Sequence, residues 1–444
     1  MPAYHCELAW LGGDSAERDV LVVVAGERIT AVETAVAKRP EAAIRLPGLT
    51  VPGLANAHSH AFHRALRGRT HRKTGSFWTW REQMYELAAS LDPDSYHRLA
   101  RAVFAEMALA GISVVGEFHY LHQGPGGVPY ADPNAMGAAL LAAAADAGIR
   151  ITLLDTCYLQ GGIGVEPDDT QRRFADRDAP AWEARASALA DSVSPGSPGV
   201  RIGAAIHSVR AVDPPAMAIV AAWAAARAAP LHAHVSEQPA ENERCVAAYG
   251  RTPTELLSDS GALSGRFTAV HATHLVDADV GLLGASSCWC CFCPTTERDL
   301  ADGIGPSRAL RDAGARLTLG SDSHAVIDLL EEARAVELDE RLARGVRGSH
   351  DAAALLRMAT EHGHASLGYP DAGRISPGCY ADLTTIGLDS VRTTGTRPDD
   401  APAVAVFAAT AADIRHVVIG GRVVVADGRH TSIDVVGALR QVLR

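Results

Sequence analysis

The sequence predicts an α/β protein: a closed (β/α)8 TIM-like barrel carrying a small β-sandwich assembled from both ends of the chain. Three observations carry this prediction. Eight apolar, strand-like runs alternate with Ala- and Leu-rich helical stretches through the middle of the 444 residues, and serial β-then-α units favour a closed parallel barrel over an open sheet. Short strand-and-turn texture occupies the beginning of the chain and returns at its end. Histidines and carboxylates recur at the C-terminal end of one strand candidate after another, the rim where such barrels gather their reactive groups.

The two ends are read first. Strand patterns fall at 20–24, 27–32 and 43–46, and again at 381–386 and 417–425, where Gly420-Gly421 suits a two-residue hairpin turn. Segments 1–52 and 376–444 are expected to form one composite β-sandwich domain, with the barrel, 53–375, inserted between them. The barrel strand candidates are 50–57, 113–118, 150–156, 201–207, 230–235, 267–271, 286–293 and 315–320. Helical patterns at 96–109, 135–147, 216–228 and 328–343 separate several of them.

Composition bounds the class. Hydrophobic residues make up 47% and charged residues 21% of the chain, the balance of a globular protein with a large core. No apolar run reaches the roughly 18 residues of a membrane span, and Met1-Pro2-Ala3-Tyr4-His5 lacks the basic start of a secretory signal. A cytoplasmic protein is expected. The net charge of −11 argues against nucleic acid or an anionic membrane as a partner. Four of the eight cysteines crowd into Cys288, Cys290, Cys291 and Cys293. On an extended strand the first two face away from the last two, so they do not surround one ion and are read as packing.

The chemistry is expected at the strand ends. In order these carry His58 and His60, Glu117 and His119, Asp155, His207, His234 with Glu237, His271 with His274, 295–297, and Asp322. Side chains alternate along a strand, so His58 and His60 share a face, and neutral imidazoles suit a divalent transition metal. Adding His234 from the fifth strand and Asp322 from the eighth makes a His₃Asp set that leaves room for water, a candidate catalytic metal centre. One divalent ion per chain is expected, Zn²⁺ in the first instance and Fe²⁺ as the alternative. Two-metal barrels often bridge their ions with a carboxylated lysine, and neither Lys38 nor Lys73 falls on a central strand. Glu237 is assigned to proton transfer, and His271 to polarising the reacting group or holding the attacking hydroxide. His232 is read as a deeper, hydrogen-bonded core residue, and His274 and His324 as loop residues.

These residues carry a resemblance. Segment 49–60, ending in His58-Ser59-His60, together with Val270-His271-Ala272-Thr273-His274, Gly320-Ser321-Asp322-Ser323-His324 and 378–383, resembles the amidohydrolase superfamily over essentially the whole chain. The resemblance implies a barrel with a composite β-sandwich and a mononuclear centre of the deaminase type. The narrower motifs 76–82, Gly116-Glu117-Phe118-His119-Tyr120, 206–212 and 294–303 are similar to those of the formimidoylglutamate deiminases of histidine breakdown. That likeness implies that His58, His60, His234 and Asp322 bind zinc, and that Glu237, His271 and Asp322 carry the chemistry. It places His63, Arg81, Tyr120, His207 and Arg210 against the substrate, with His63 standing where many members carry glutamine, and implies a homodimer.

The expected reaction is hydrolysis of N-formimino-L-glutamate to N-formyl-L-glutamate and ammonia. Two substrate carboxylates ask for arginine, whose planar fork binds them in a bidentate manner. Arg81 is expected in the long loop after the first strand, where Phe77, Trp78 and Trp80 could close over the pocket, and Arg210 three residues past the fourth strand. The alternatives are a related deaminase acting on a heterocycle such as guanine or a triazine, and a non-catalytic metal-binding barrel. A heterocycle needs stacking and no carboxylate clamp, so Arg81 and Arg210 discriminate.

Overall fold

The structure, a computed structural model, describes residues 2–70, 77–194 and 196–443, with the backbone alone at 77–79. The chain opens with β1 (Ala3–Trp10), β2 (Ala16–Ala25), β3 (Arg28–Glu33) and β4 (Ile44–Pro52). Eight further strands follow: β5 (Leu54–Ser59), β6 (Ile112–His119), β7 (Arg150–Cys157), β8 (Val200–Ile206), β9 (Leu231–Val235), β10 (Phe267–His271), β11 (Trp289–Phe292) and β12 (Arg316–Leu319). The chain closes with β13 (Leu383–Ile386), β14 (Ile414–Ile419), β15 (Arg422–Ala426) and β16 (Arg429–His430).

Two sheets result. The first runs β16-β15-β14-β13-β4-β1-β2-β3 and draws on both chain ends. Its joint is β4, parallel to β1 and antiparallel to β13. Gly420 and Gly421 turn the β14–β15 hairpin with φ of 57° and 70°, the double left-handed geometry that a two-residue turn requires and glycine supplies.

The second sheet runs in sequence order from β5 to β12, each neighbour pairing parallel. A parallel bridge between Ser59 and Asp322 brings its two edges together, with Asp322 N–H donating to His58 O at 3.0 Å and His60 N–H to Asp322 O at 3.2 Å. Ala55, Ala57, Val114, Val270, Cys291 and Cys293 pack in the interior with Leu367 and Tyr369. Cys288 and Cys290 belong instead to the large core under the helices. The cysteine run thus alternates between two environments, and all eight cysteines are unpaired and buried.

One strand expectation needs correction. The apolar run 50–57 is two strands in two different sheets, broken at Gly53. Its N–H donates to Asp382 O at 2.8 Å, and a Cβ there would lie 2.4 Å from Ser113 Oγ. Only glycine lets the chain cross between the sheets so tightly. The helical expectations match their elements closely, because the signals are local. Asp92 caps Pro93–Leu109 with a capping box, Asp328 caps Leu329–Arg344, and left-handed Gly148 ends Ala135–Ala147. No helix among the described residues is long and apolar enough to cross a membrane.

Candidate active site

The barrel seam is where the histidines meet. His58 Nε2 lies 3.2 Å from Asp322 Oδ1 and 3.2 Å from His234 Nε2, and His60 Nε2 lies 3.4 Å from the same Asp322 oxygen. Around a tetrahedral ion with metal–nitrogen bonds near 2.0–2.1 Å, neighbouring ligand atoms stand roughly 3.3 Å apart. The three distances match that spacing, and the donor atoms of His58, His60 and Asp322, and those of His58, His234 and His271, lie within 4.8 Å of one another, so His58 is shared by two candidate ligand groups. The tautomers fit as well. His60 Nδ1 bonds Phe118 O at 2.9 Å and His234 Nδ1 bonds His207 O at 2.9 Å; each carbonyl accepts from Nδ1–H, leaving Nε2 as the lone-pair donor facing the centre. Burial holds both rings neutral, pushing His60 down to about 3 and His234 well below its ordinary value.

Behind this cluster lies a second ring of contacts. Glu117 is fully buried and accepts from Ser59 Oγ at 2.6 Å and from Ala61 N–H at 2.7 Å. Burial pushes its carboxyl up to about 8 against those two bonds. It clamps the His58–His60 segment from beneath. His324, expected as a loop residue, is buried as well. Its ring bridges Ser59 Oγ at 3.2 Å and Ser321 Oγ at 2.9 Å, and Ser321 Oγ also accepts from Asn56 Nδ2 at 2.7 Å. The ring ties both sides of the seam together. His274 does sit in a loop, bonding Asp302 O at 2.7 Å. His232 is buried, as expected of a core residue, and burial pushes its ring down to about 3 against a backbone contact at Ser366. Asp155 points away into a buried pair with Arg185 at 2.6 Å. Lys38 lies in the exposed connection between β3 and β4; Lys73 falls outside the described residues.

Glu237 and His271 complete the inner group. His271 Nε2 stands 3.8 Å from Glu237 Oε1, and its Nδ1 is 3.3 Å from Glu297 Oε1. Burial opposes a charge on this ring, but Glu297, Glu237 and Asp322 together raise it to about 10. Glu297 also accepts Cys293 N–H at 2.9 Å, which fixes it as a backstop for His271. His271 and Asp322 adopt φ of 67° and 41°, left-handed conformations that non-glycine residues hold only under constraint and that concentrate at functional sites.

A cavity of about 120 Å³ opens on this group, with His60, His234, His271, Asp322 and Glu237 at its floor. Its walls include all five residues expected to meet a substrate: His63, Arg81, Tyr120, His207 and Arg210. His63 Nε2 bonds Tyr120 Oη at 3.0 Å. His207 packs edge-on to Tyr120 and Tyr158. Arg81 is on the helix Phe77–Ala89 rather than in the loop expected for it, and sits beside Tyr85. Trp80 lines the cavity; Ser76 and the side chains of Phe77 and Trp78 lie outside the described residues. Arg210 is already engaged, Nη2 donating to Glu237 Oε2 at 2.9 Å and Nε standing 3.3 Å from Glu241 Oε2. Tyr158, Phe174 and Arg244 also line the cavity and were not anticipated. Tyr158, one residue past β7, could have been found from its strand-end position.

Comparison with known proteins agrees with this geometry. The amidohydrolase family model matches residues 49–424. A formimidoylglutamate deiminase of Pseudomonas aeruginosa is 36% identical over 408 residues, covering 88% of this chain and 89% of that protein. A 5-methylthioadenosine/S-adenosylhomocysteine deaminase of Natronomonas pharaonis is 28% identical over 404 residues, covering 89% and 86%. The crystal structure of an amidohydrolase from Brucella melitensis superposes with a TM-score of 0.92 at 31% identity, covering 100% of this chain and 99% of that one.

Proposed function

The chain belongs to the amidohydrolase family, and on that premise we propose that it is a metal-dependent deiminase converting N-formimino-L-glutamate and water to N-formyl-L-glutamate and ammonia. The observation that carries this reading is the placement of Arg81 and Arg210 on the walls of the cavity whose floor holds His58's neighbours His60, His234, Asp322 and Glu237. A substrate with one amidinium and two carboxylates finds an anion beside the reactive centre and two guanidiniums around it. A neutral heterocycle has no use for that pair.

His58, His60, His234 and Asp322 would hold the ion. A divalent metal there supplies the Lewis acidity that makes hydroxide available at neutral pH. Asp322 accepts the proton given up as water adds to the formimino carbon. Glu237 pairs with the protonated amidine, keeps the carbon electrophilic, and passes a proton to the terminal nitrogen so that it leaves as ammonia. His271, braced by Glu297, donates to the oxygen that develops negative charge in the tetrahedral state. His63 and Tyr120 form a hydrogen-bonded wall beside His60, and His207 extends it toward Arg210. These parts balance the reaction: one C–O bond forms, one C–N bond breaks, and one ammonia departs. The chemistry also agrees with the likeness to the Pseudomonas aeruginosa deiminase.

The test is ammonia release by the metal-loaded enzyme from N-formimino-L-glutamate, N-formimino-L-aspartate, guanine and cytosine. The highest kcat/KM is expected with N-formimino-L-glutamate. Preference for guanine or cytosine would replace this reading with that of a ring deaminase.

A further inference from the structure

The helix Phe77–Ala89 borders the cavity and gives it four residues, Trp80, Arg81, Met84 and Tyr85. Their spacing puts them on one face of the helix. Apolar contact anchors that helix only thinly. From Trp80 to Ser90 just Met84 and Ala88 are buried, whereas a helix on a globular core usually buries a wider stripe. Its last carbonyls also have no N–H of the same helix to accept from. Its placement needs a second anchor.

Arg173 supplies one. It stands in the short turn Gln171–Arg173, within the loop that follows β7, and is 1% exposed. Its Nη1 donates to Ala88 O at 2.6 Å, its Nη2 to Leu91 O at 2.7 Å and its Nε to Gln123 O at 3.1 Å. All three bonds end on main-chain carbonyls. Two of these carbonyls sit at the C-terminal end of the helix, where a positive charge suits the helix dipole, and the third belongs to the loop after β6. That loop bonds back, with His122 N–H and Gln123 N–H donating to Arg173 O at 3.1 and 2.9 Å. The sequence neighbours of Arg173 complete the junction. Gln171 Nε2 donates to Tyr85 Oη and to Gly161 O, both at 3.2 Å. The Phe174 ring packs against those of Tyr85 and Tyr120, with centroids 5.6 and 5.1 Å away. Arg173 itself is not among the residues that line the cavity.

We infer that Arg173 is a positioning residue: by holding the C-terminal carbonyls of the helix Phe77–Ala89 from the loop after β7, it fixes how the Trp80–Tyr85 face meets the cavity. A planar guanidinium with donors on three sides can hold three carbonyls at once, which an ammonium on a flexible stem does not reproduce. The effect passes through Arg81 and its neighbours and leaves the proposed metal ligands alone, since those sit on β5, on β9 and just past β12. The inference rests on the proposed deiminase reading for the substrate used in its test.

The experiment is a double-mutant cycle on the metal-loaded enzyme, with Arg173→Met, Arg81→Met and the pair, each followed also by hydrogen-exchange mass spectrometry. In Arg173→Met the amides of 80–91 should exchange about tenfold faster or more, while those of β6 and β7 keep their protection. The kcat/KM for N-formimino-L-glutamate should fall by about tenfold or more, mainly through KM, with metal content unchanged. In the Arg81→Met background Arg173→Met should lower it little further, because both act through one placement. Arg173→Lys keeps the charge without the fork; it should show the same changes in milder form, and it carries the comparison if Arg173→Met does not fold. Unchanged exchange at 80–91, or losses that simply multiply in the double variant, would overturn the positioning role and leave the deiminase reading standing. Wild-type enzyme that does not turn over N-formimino-L-glutamate would overturn the deiminase reading, and the exchange comparison would still decide the role of Arg173.

Discussion

Ser59 and Asp322 form the parallel bridge that joins β5 to the end of β12, so the seam that closes the barrel and the histidine–aspartate cluster occupy the same place. His58 and His60 flank one side of that bridge in sequence, and Asp322 is the other side. Closing the fold therefore assembles three of the four proposed ligands without any further adjustment. His234 is added from across the barrel, 3.2 Å from His58.

Metal content and turnover should be lost together in His234→Ala. The purified protein is expected to hold about one equivalent of divalent metal by atomic emission, and the variant well under that. Two tightly held ions per chain would contradict the single-ion reading of the donor spacing.

Glu237→Gln should keep the metal, because Glu237 faces Arg210 and His271 rather than the four donors. Its kcat should fall by roughly 10²–10⁴-fold, the range for a positioned acid–base group. Metal analysis beside steady-state kinetics checks both halves, and a fully active variant would move the proton to another group.

Arg81→Met and Arg210→Met should each cost about 2–4 kcal/mol in kcat/KM for N-formimino-L-glutamate, by leaving a carboxylate unpaired. Arg210→Met should also lower the melting temperature, since it strips a buried pair of carboxylates of their cation. Arg81, only partly buried on its helix, should not. Equal thermal shifts in the two variants would contradict this difference.

Glu117→Ala should weaken metal affinity by about 10–100-fold, the usual effect of removing a residue that orients ligands. Competition with a chromophoric chelator measures it. Retained affinity would mean that the backbone at His58–His60 needs no support from beneath.

The sequence carries the parts of this site that depend on periodicity. Alternation along a strand and the βα order fix which residues reach the barrel rim, so His58, His60, His207, His234, His271 and Asp322 could be named from spacing alone; the structure brings all of these but His58 onto one cavity, with His58 3.2 Å from both His234 and Asp322. What it hides are contacts between segments distant along the chain. Glu297 behind His271, Glu241 behind Arg210 and His324 between Ser59 and Ser321 have no local signature. The break at Gly53 is hidden for another reason: the run 50–57 is apolar throughout, because both strands it contains are buried, and only the close approach to Ser113 and Asp382 reveals the crossing. Arg81 reads as a loop residue because its helix mixes polar and aromatic residues without a clear apolar stripe.

The most direct test follows the carbon and the nitrogen of one substrate. N-Formimino-L-glutamate labelled with ¹³C at the formimino carbon, incubated with the metal-loaded enzyme, should yield N-formyl-L-glutamate carrying the label and ammonia in equal amounts, by ¹³C NMR beside an ammonia assay. Labelled formamide with free glutamate would show cleavage of the other C–N bond, and no reaction alongside ammonia release from guanine would show a ring deaminase; either result would contradict the account.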